Sequence, residues 1–113
     1  MQLNLRRVVI FTPDVAKLAA FYRDVIGLEV SGQEPGWIDF AAGPCNIALH
    51  KGTAVAGKRP PKLVFYAADV AAARAALVKR GAKGFGAVKS AKTFDMCDGR
   101  DPDGNPIQIS SRK

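Results

Sequence analysis

A few side chains in this sequence have the chemistry to act on or hold another molecule. His50 is the single histidine. Histidine is the side chain that titrates nearest neutrality, so His50 is a candidate general acid or base, and Tyr66 is the other candidate for such a step. Cys45 and Cys97 are the two thiols. Strand alternation puts Cys45 and His50 on opposite faces, and no C-x-x-C spacing occurs, so a Cys/His zinc site is set aside. Asp95, Asp98, Asp101 and Asp103 form an acidic cluster. A calcium loop starting at Asp101 would need Gly at position 106 and Glu at position 112, where the chain has Pro106 and Arg112. Asp101 and Asp103 therefore read as turn formers. Asp98 reads as a strand residue able to partner a cation, with Cys97 facing the other way as a buried thiol. Gln108 follows the turn DPDGN and points away from the apolar face of Ile107 and Ile109, where a ligand-orienting amide would sit.

The elements that must position these groups occur twice. Residues 7–14 read RVVIFTPD and residues 62–69 read KLVFYAAD, each a strand pattern ending in Asp. A helical pattern follows each. In the first, Val15, Leu18, Ala19, Tyr22, Val25 and Ile26 make one apolar stripe, with Asp14 to start the helix and Gly27 to stop it. In the second, Val70, Ala73, Leu77 and Val78 do so, starting at Asp69 and ending at Gly81. Short strands come next: LEVSG, GWIDFA and CNIALHK in the first half, GFGAVKS, TFDMCDGR and NPIQIS in the second. This predicts a single α+β domain over 1–113 with two βαβββ modules, about 1–50 and about 62–113, joined by the Gly/Pro/Lys-rich linker at about 51–61. Neither module can cover its own sheet, so the two are expected to share a core.

Alternation then assigns faces. Val8, Ile10, Ile47, Leu49, Leu63, Phe65, Ile107 and Ile109 should pack on the helices. Arg7, Val9, Phe11, Asn46, Ala48, His50, Lys62, Val64, Tyr66, Gln108 and Ser110 should face the other way, joined by Trp37 and Asp39.

Composition bounds the function. A chain of 113 residues, 48% hydrophobic and 24% charged, is an ordinary globular domain. Apolar runs are too short to span a membrane, the N-terminal residues lack a signal-peptide pattern, and two thiols without a disulfide framework fit a reducing cytoplasm. The net charge of +7 permits polyanion contact. The basic residues are scattered, however, and no nucleic-acid motif accompanies them, so nucleic acid is not an expected partner.

The paired modules, the helix segment FYRDVIGLEV and the closing DPDGNPIQI resemble the vicinal oxygen chelate superfamily: glyoxalase I, extradiol dioxygenases and bleomycin-resistance proteins. The resemblance covers nearly the whole chain. It implies a curved, cup-like mixed sheet with the helices on its outer face, and a homodimer. Metal-dependent members carry a ligand on the first and last strand of each module. Here those positions fall on Arg7, Ala48, Lys62 and Gln108, a set that does not hold a divalent ion, so no metal and no cofactor are expected. The leading expectation is a small-molecule-binding protein whose cup is lined by Arg7, Phe11, Trp37, His50, Lys62, Tyr66 and Gln108. Arg7 and Lys62 would receive an acidic group, unless they pair with Asp39 or Asp98. The alternatives are a glyoxalase-like lyase, isomerase or dioxygenase-related enzyme working through an unrecognised metal or His50, and a basic protein that binds a polyanion.

Overall fold

Both helices start where an aspartate can satisfy a free backbone N–H. Asp14 accepts from the Lys17 N–H at 3.1 Å and Asp69 from the Ala72 N–H at 2.9 Å. Helix α1 (Val15–Ala20) and helix α2 (Val70–Lys79) follow from them. The computed structural model describes residues 1–55 and 57–113; position 56, inside the expected linker, lies outside the described residues. The first helical pattern does not remain α-helical. Phe21–Ile26 is a π-helical segment, closed where the Gly27 and Leu28 N–H groups both donate to the Tyr22 carbonyl, with Gly27 at φ 89°. Phe21 and Tyr22, adjacent in this segment, are both buried. In α2, Val78 lies off the buried stripe and is exposed.

The chain divides into two compact units, Met1–Val55 and Ala56–Lys113, each built on one four-stranded sheet. The first contains β1 (Arg7–Thr12), β2 (Glu29–Glu34), β3 (Trp37–Ala42) and β4 (Cys45–Lys51), in the order β1-β4-β3-β2. The second contains β5 (Leu63–Tyr66), β6 (Lys89–Ser90), β7 (Asp95–Arg100) and β8 (Pro106–Ser110), in the order β5-β8-β7-β6. In both, the first strand runs parallel to the last and the other pairings are antiparallel. These are two βαβββ modules of an α+β fold.

Burial alternates as expected on β1 and β5, whereas on β4 Asn46 and Ala48 are buried along with Ile47 and Leu49. Ile38, Phe40, Ile47 and Leu49 form a core with Leu18 and Tyr22 in the first unit, and Cys97, Ile107 and Ile109 do so with Val70 and Leu77 in the second. The opposite face stays open, with Val9 and Phe11 exposed on β1 and Val64 and Tyr66 exposed on β5. Among the described residues no helix is long and apolar enough to cross a membrane.

Two expected strands are shorter than their patterns. KLVFYAAD contracts to β5, with Lys62 immediately before it. GFGAVKS contracts to the two residues of β6, because Gly84 turns at φ 77° and Phe85 leaves strand geometry to become buried. Arg74 on α2 clamps that loop, donating from Nε to the Gly86 carbonyl at 2.6 Å and from Nη2 to the Phe85 carbonyl at 2.9 Å. The Phe85 ring lies flat on Gly99, where an added Cβ would come within 2.6 Å of ring atoms. Gly99→Ala is therefore expected to destabilise the protein by about 1–3 kcal/mol in urea unfolding, as overpacking does. Gly32→Ala, where a Cβ meets nothing within 4 Å, is the control and should be near neutral.

Candidate functional site

The open face of the first sheet is organised around Asp39. The register sets Asp39 on β3 opposite Ala48 on β4, and Ala48 opposite Val9 on β1. Arg7 starts one step lower, opposite Asn46, and its long side chain reaches up past the small Ala48 to the carboxylate. Arg7 donates from Nε to Asp39 Oδ1 at 3.1 Å and from Nη2 to Oδ2 at 3.3 Å, a two-pronged pair. Asn46 Nδ2 donates to Oδ2 at 2.9 Å and Ser31 Oγ at 3.0 Å. Ser31 reaches it because β2 bulges between Val30 and Gly32, which leaves Ser31 as the extra residue and re-aims its hydroxyl. Asp39 is buried, with 7% of its surface exposed. Burial alone would push its pKa up; the bonds from Arg7, Asn46 and Ser31 outweigh that and hold it below the ordinary carboxylate value.

Beside this cluster the same face carries an aromatic row. Phe11, His50 and Trp37 lie opposite one another across β1, β4 and β3. The His50 ring centroid is 5.4 Å from that of Phe11, tilted by 52°, and 5.8 Å from that of Trp37, edge-on at 81°. The Arg7 guanidinium lies over Trp37, 5.7 Å from the ring centroid, and so ties the polar cluster to the row.

The second module repeats the arrangement with different residues. Asp98 lies opposite Gln108 and Gln108 opposite Val64, as Asp39, Ala48 and Val9 do in the first. Lys62 Nζ donates to Asp98 Oδ1 at 3.0 Å, and Gln108 Nε2 donates to the same oxygen at 3.0 Å. The bond from Lys62 is the main reason the Asp98 pKa lies below the ordinary value, with Gln108 adding to it against desolvation. This pair is half open, with Lys62 and Asp98 side chains 42% and 48% exposed, so solvent screening leaves it worth about 1 kcal/mol or less. Beside it is a recess of about 420 Å³ bordered by Lys62, Gly86, Asp98, Arg100 and Pro106. One row further along, Tyr66 is exposed opposite Ser110.

Of the expected residues, Arg7, Phe11, Trp37 and His50 come together on the first module's open face, and Lys62, Tyr66 and Gln108 occupy the second's. Both cations are ion-paired, Arg7 with Asp39 and Lys62 with Asp98. The positions that resemblance assigns to metal ligands do not suit a metal. Arg7 is protonated and bound to Asp39, Ala48 has no donor atom, and Lys62 puts an ammonium beside Gln108 and Asp98. Cys97 is buried, which pushes its thiol pKa up, and Asp101 accepts from the Asp103 and Asn105 N–H groups inside its turn. Sequence reasoning passed over Ser31 and gave Asn46 no role; the Ser-Gly pair inside the β2 pattern was the available sign of a bulge.

Because the Asp39 pKa is depressed, its contribution to stability is complete above the ordinary carboxylate value of about 3.9 and is lost as pH falls below that, through the depressed value. Asp39→Asn should flatten this acid limb in urea unfolding measured against pH. Asp39→Ala should cost about 1–3 kcal/mol at neutral pH by leaving its donors without their acceptor.

The model of the Glyoxalase/Bleomycin resistance protein/Dioxygenase superfamily matches residues 4–109. The solved structure of SMU.1112c superposes with a TM-score of 0.81 at 22% identity, covering 97% of this chain and 99% of that one. TnmS3, an antibiotic binding protein from Streptomyces sp. CB03234, gives 0.78 at 23% identity over 96% and 94% of the two chains. Lactoylglutathione lyase from Agrobacterium tumefaciens gives 0.75 at 23% identity over 94% and 91%. No curated protein sequence matches the chain. With the family model matched over nearly its whole length and the paired modules seen in its fold, this chain belongs to the glyoxalase/bleomycin resistance protein/dioxygenase superfamily.

Proposed function

We propose that the protein binds a small organic molecule with an aromatic part on the helix-free face of its sheets, and does so without a resident metal. The observation that carries this is the exposure of large apolar side chains on that face: Phe11 at 52% beside Trp37 and His50, and Tyr66 at 55% beside Val64. Aromatic walls with a few placed polar groups are the usual make-up of a small-molecule site. Another protein of this fold, TnmS3, is an antibiotic binding protein, which supports the same use here. A metal-dependent lyase or dioxygenase reaction would need donor atoms that Arg7, Ala48 and Lys62 do not supply. A homodimer, on the resemblance, and a cytoplasmic location, on the two thiols without a disulfide framework, belong to the same reading.

The ion pairs refine the expected role of the cations. Arg7 already makes two hydrogen bonds to Asp39, which Ser31 and Asn46 hold in place, so an acidic group on the ligand would meet a cation already neutralised. Lys62 is bound to Asp98 only in a screened, half-exposed pair and can turn to a ligand at little cost. Arg7 is thus a scaffold residue, and Lys62 is the cation available to a carboxylate.

NMR titration with 2-naphthol and 2-naphthoate tests this. Binding should shift the resonances of Phe11, Trp37 or Tyr66, and Phe11→Ala should weaken binding at the first module about tenfold, or about 1.4 kcal/mol. Lys62→Ala should reduce any preference for the carboxylate, while Arg7→Ala should chiefly lower the unfolding midpoint. Shifts confined to the helices and linker, or none with any aromatic compound, would refute the proposal.

A further inference from the structure

We infer that His50 presents its Nε2 as a fixed hydrogen-bond acceptor at the aromatic row of the first module, and so selects aromatic ligands that carry an O–H or N–H donor. The inference rests on the proposed binding role of that face and names the ligand class it takes.

His50 Nδ1 lies 2.8 Å from the Lys51 backbone carbonyl. A carbonyl oxygen only accepts, so Nδ1 must carry the proton in this bond. In the neutral ring Nε2 is then left with a lone pair. Among the described residues no protein group donates to Nε2, and the side chain is exposed. The ring is held from both sides, by Phe11 at 5.4 Å and Trp37 at 5.8 Å between centroids. Gly52 secures this from below: its N–H donates to the Thr12 carbonyl at 3.0 Å, and the Phe11 Cδ1 sits 3.0 Å from where a Cβ would be. The result is one oriented acceptor between two apolar rings. A planar ligand stacked on either ring can place a phenolic O–H or heterocyclic N–H on Nε2. One lacking a donor leaves the acceptor desolvated and unpaired, and that asymmetry is what gives selectivity.

The test compares 2-naphthol with 2-methoxynaphthalene, two probes with the same fused rings and one donor between them. Long-range ¹H–¹⁵N NMR at a pH of about 8, above the ordinary histidine range, should show Nδ1 protonated and Nε2 bare in the free protein. 2-Naphthol should bind about five- to tenfold more tightly than its methyl ether and move the Nε2 signal. His50→Phe should keep the stacking surface and abolish the difference. A proton on Nε2 in the free protein would overturn the inference. Equal binding of the two probes at Phe11 and Trp37 would also overturn it, while leaving the proposed binding face intact. No binding of either probe would overturn both.

Discussion

The open face of the first module depends on a buried carboxylate that receives four hydrogen bonds. Burial pushes the Asp39 pKa up, and the bonds from Arg7, Asn46 and Ser31 bring it below the ordinary carboxylate value. Each donor comes from a different element: Arg7 from β1, Ser31 from the β2 bulge, and Asn46 from β4. The carboxylate therefore ties all four strands of the sheet at one level. It also fixes Arg7 over Trp37, which helps set the aromatic row in place. A bulge that would otherwise look like an irregularity in an edge strand is the device that completes this set.

The second module has the same plan with looser fittings. Lysine replaces the arginine fork, Gln108 replaces Ala48, and the aspartate is half exposed. Lysine is a point charge on a flexible stem and cannot hold a carboxylate in two prongs, so the pair can open where its counterpart cannot. One duplicated arrangement thus takes two forms, a two-pronged pair beside aromatic rings and a half-exposed pair beside a recess.

Much of this was legible in the sequence because strand period and helix caps leave direct marks. Asp14 and Asp69 announced both helices, and alternation placed Phe11, His50, Lys62 and Gln108 on the open face. Cation–carboxylate pairing was foreseeable as an option, since Arg7 and Asp39 fell on one face, but the choice among acidic partners depends on register that no local pattern encodes. Three features escaped for the same kind of reason. The π-helical turn at Phe21–Ile26 shares its residues with an ordinary amphipathic helix. The departure of Phe85 from its strand depends on Arg74 and Gly99, both distant in sequence. The His50 tautomer is set by a carbonyl, which sequence does not show at all.

We propose that ion pairs and an alanine close, in both modules, the positions that the family resemblance assigns to metal ligands. Elemental mass spectrometry of the untagged protein, after exposure to nickel, zinc, manganese and iron and then dialysis, tests it most directly. Only trace amounts of each ion are expected. A tightly held ion in stoichiometric amount would contradict it, since Arg7 and Lys62 would then have to leave their aspartates to make room for a second cation.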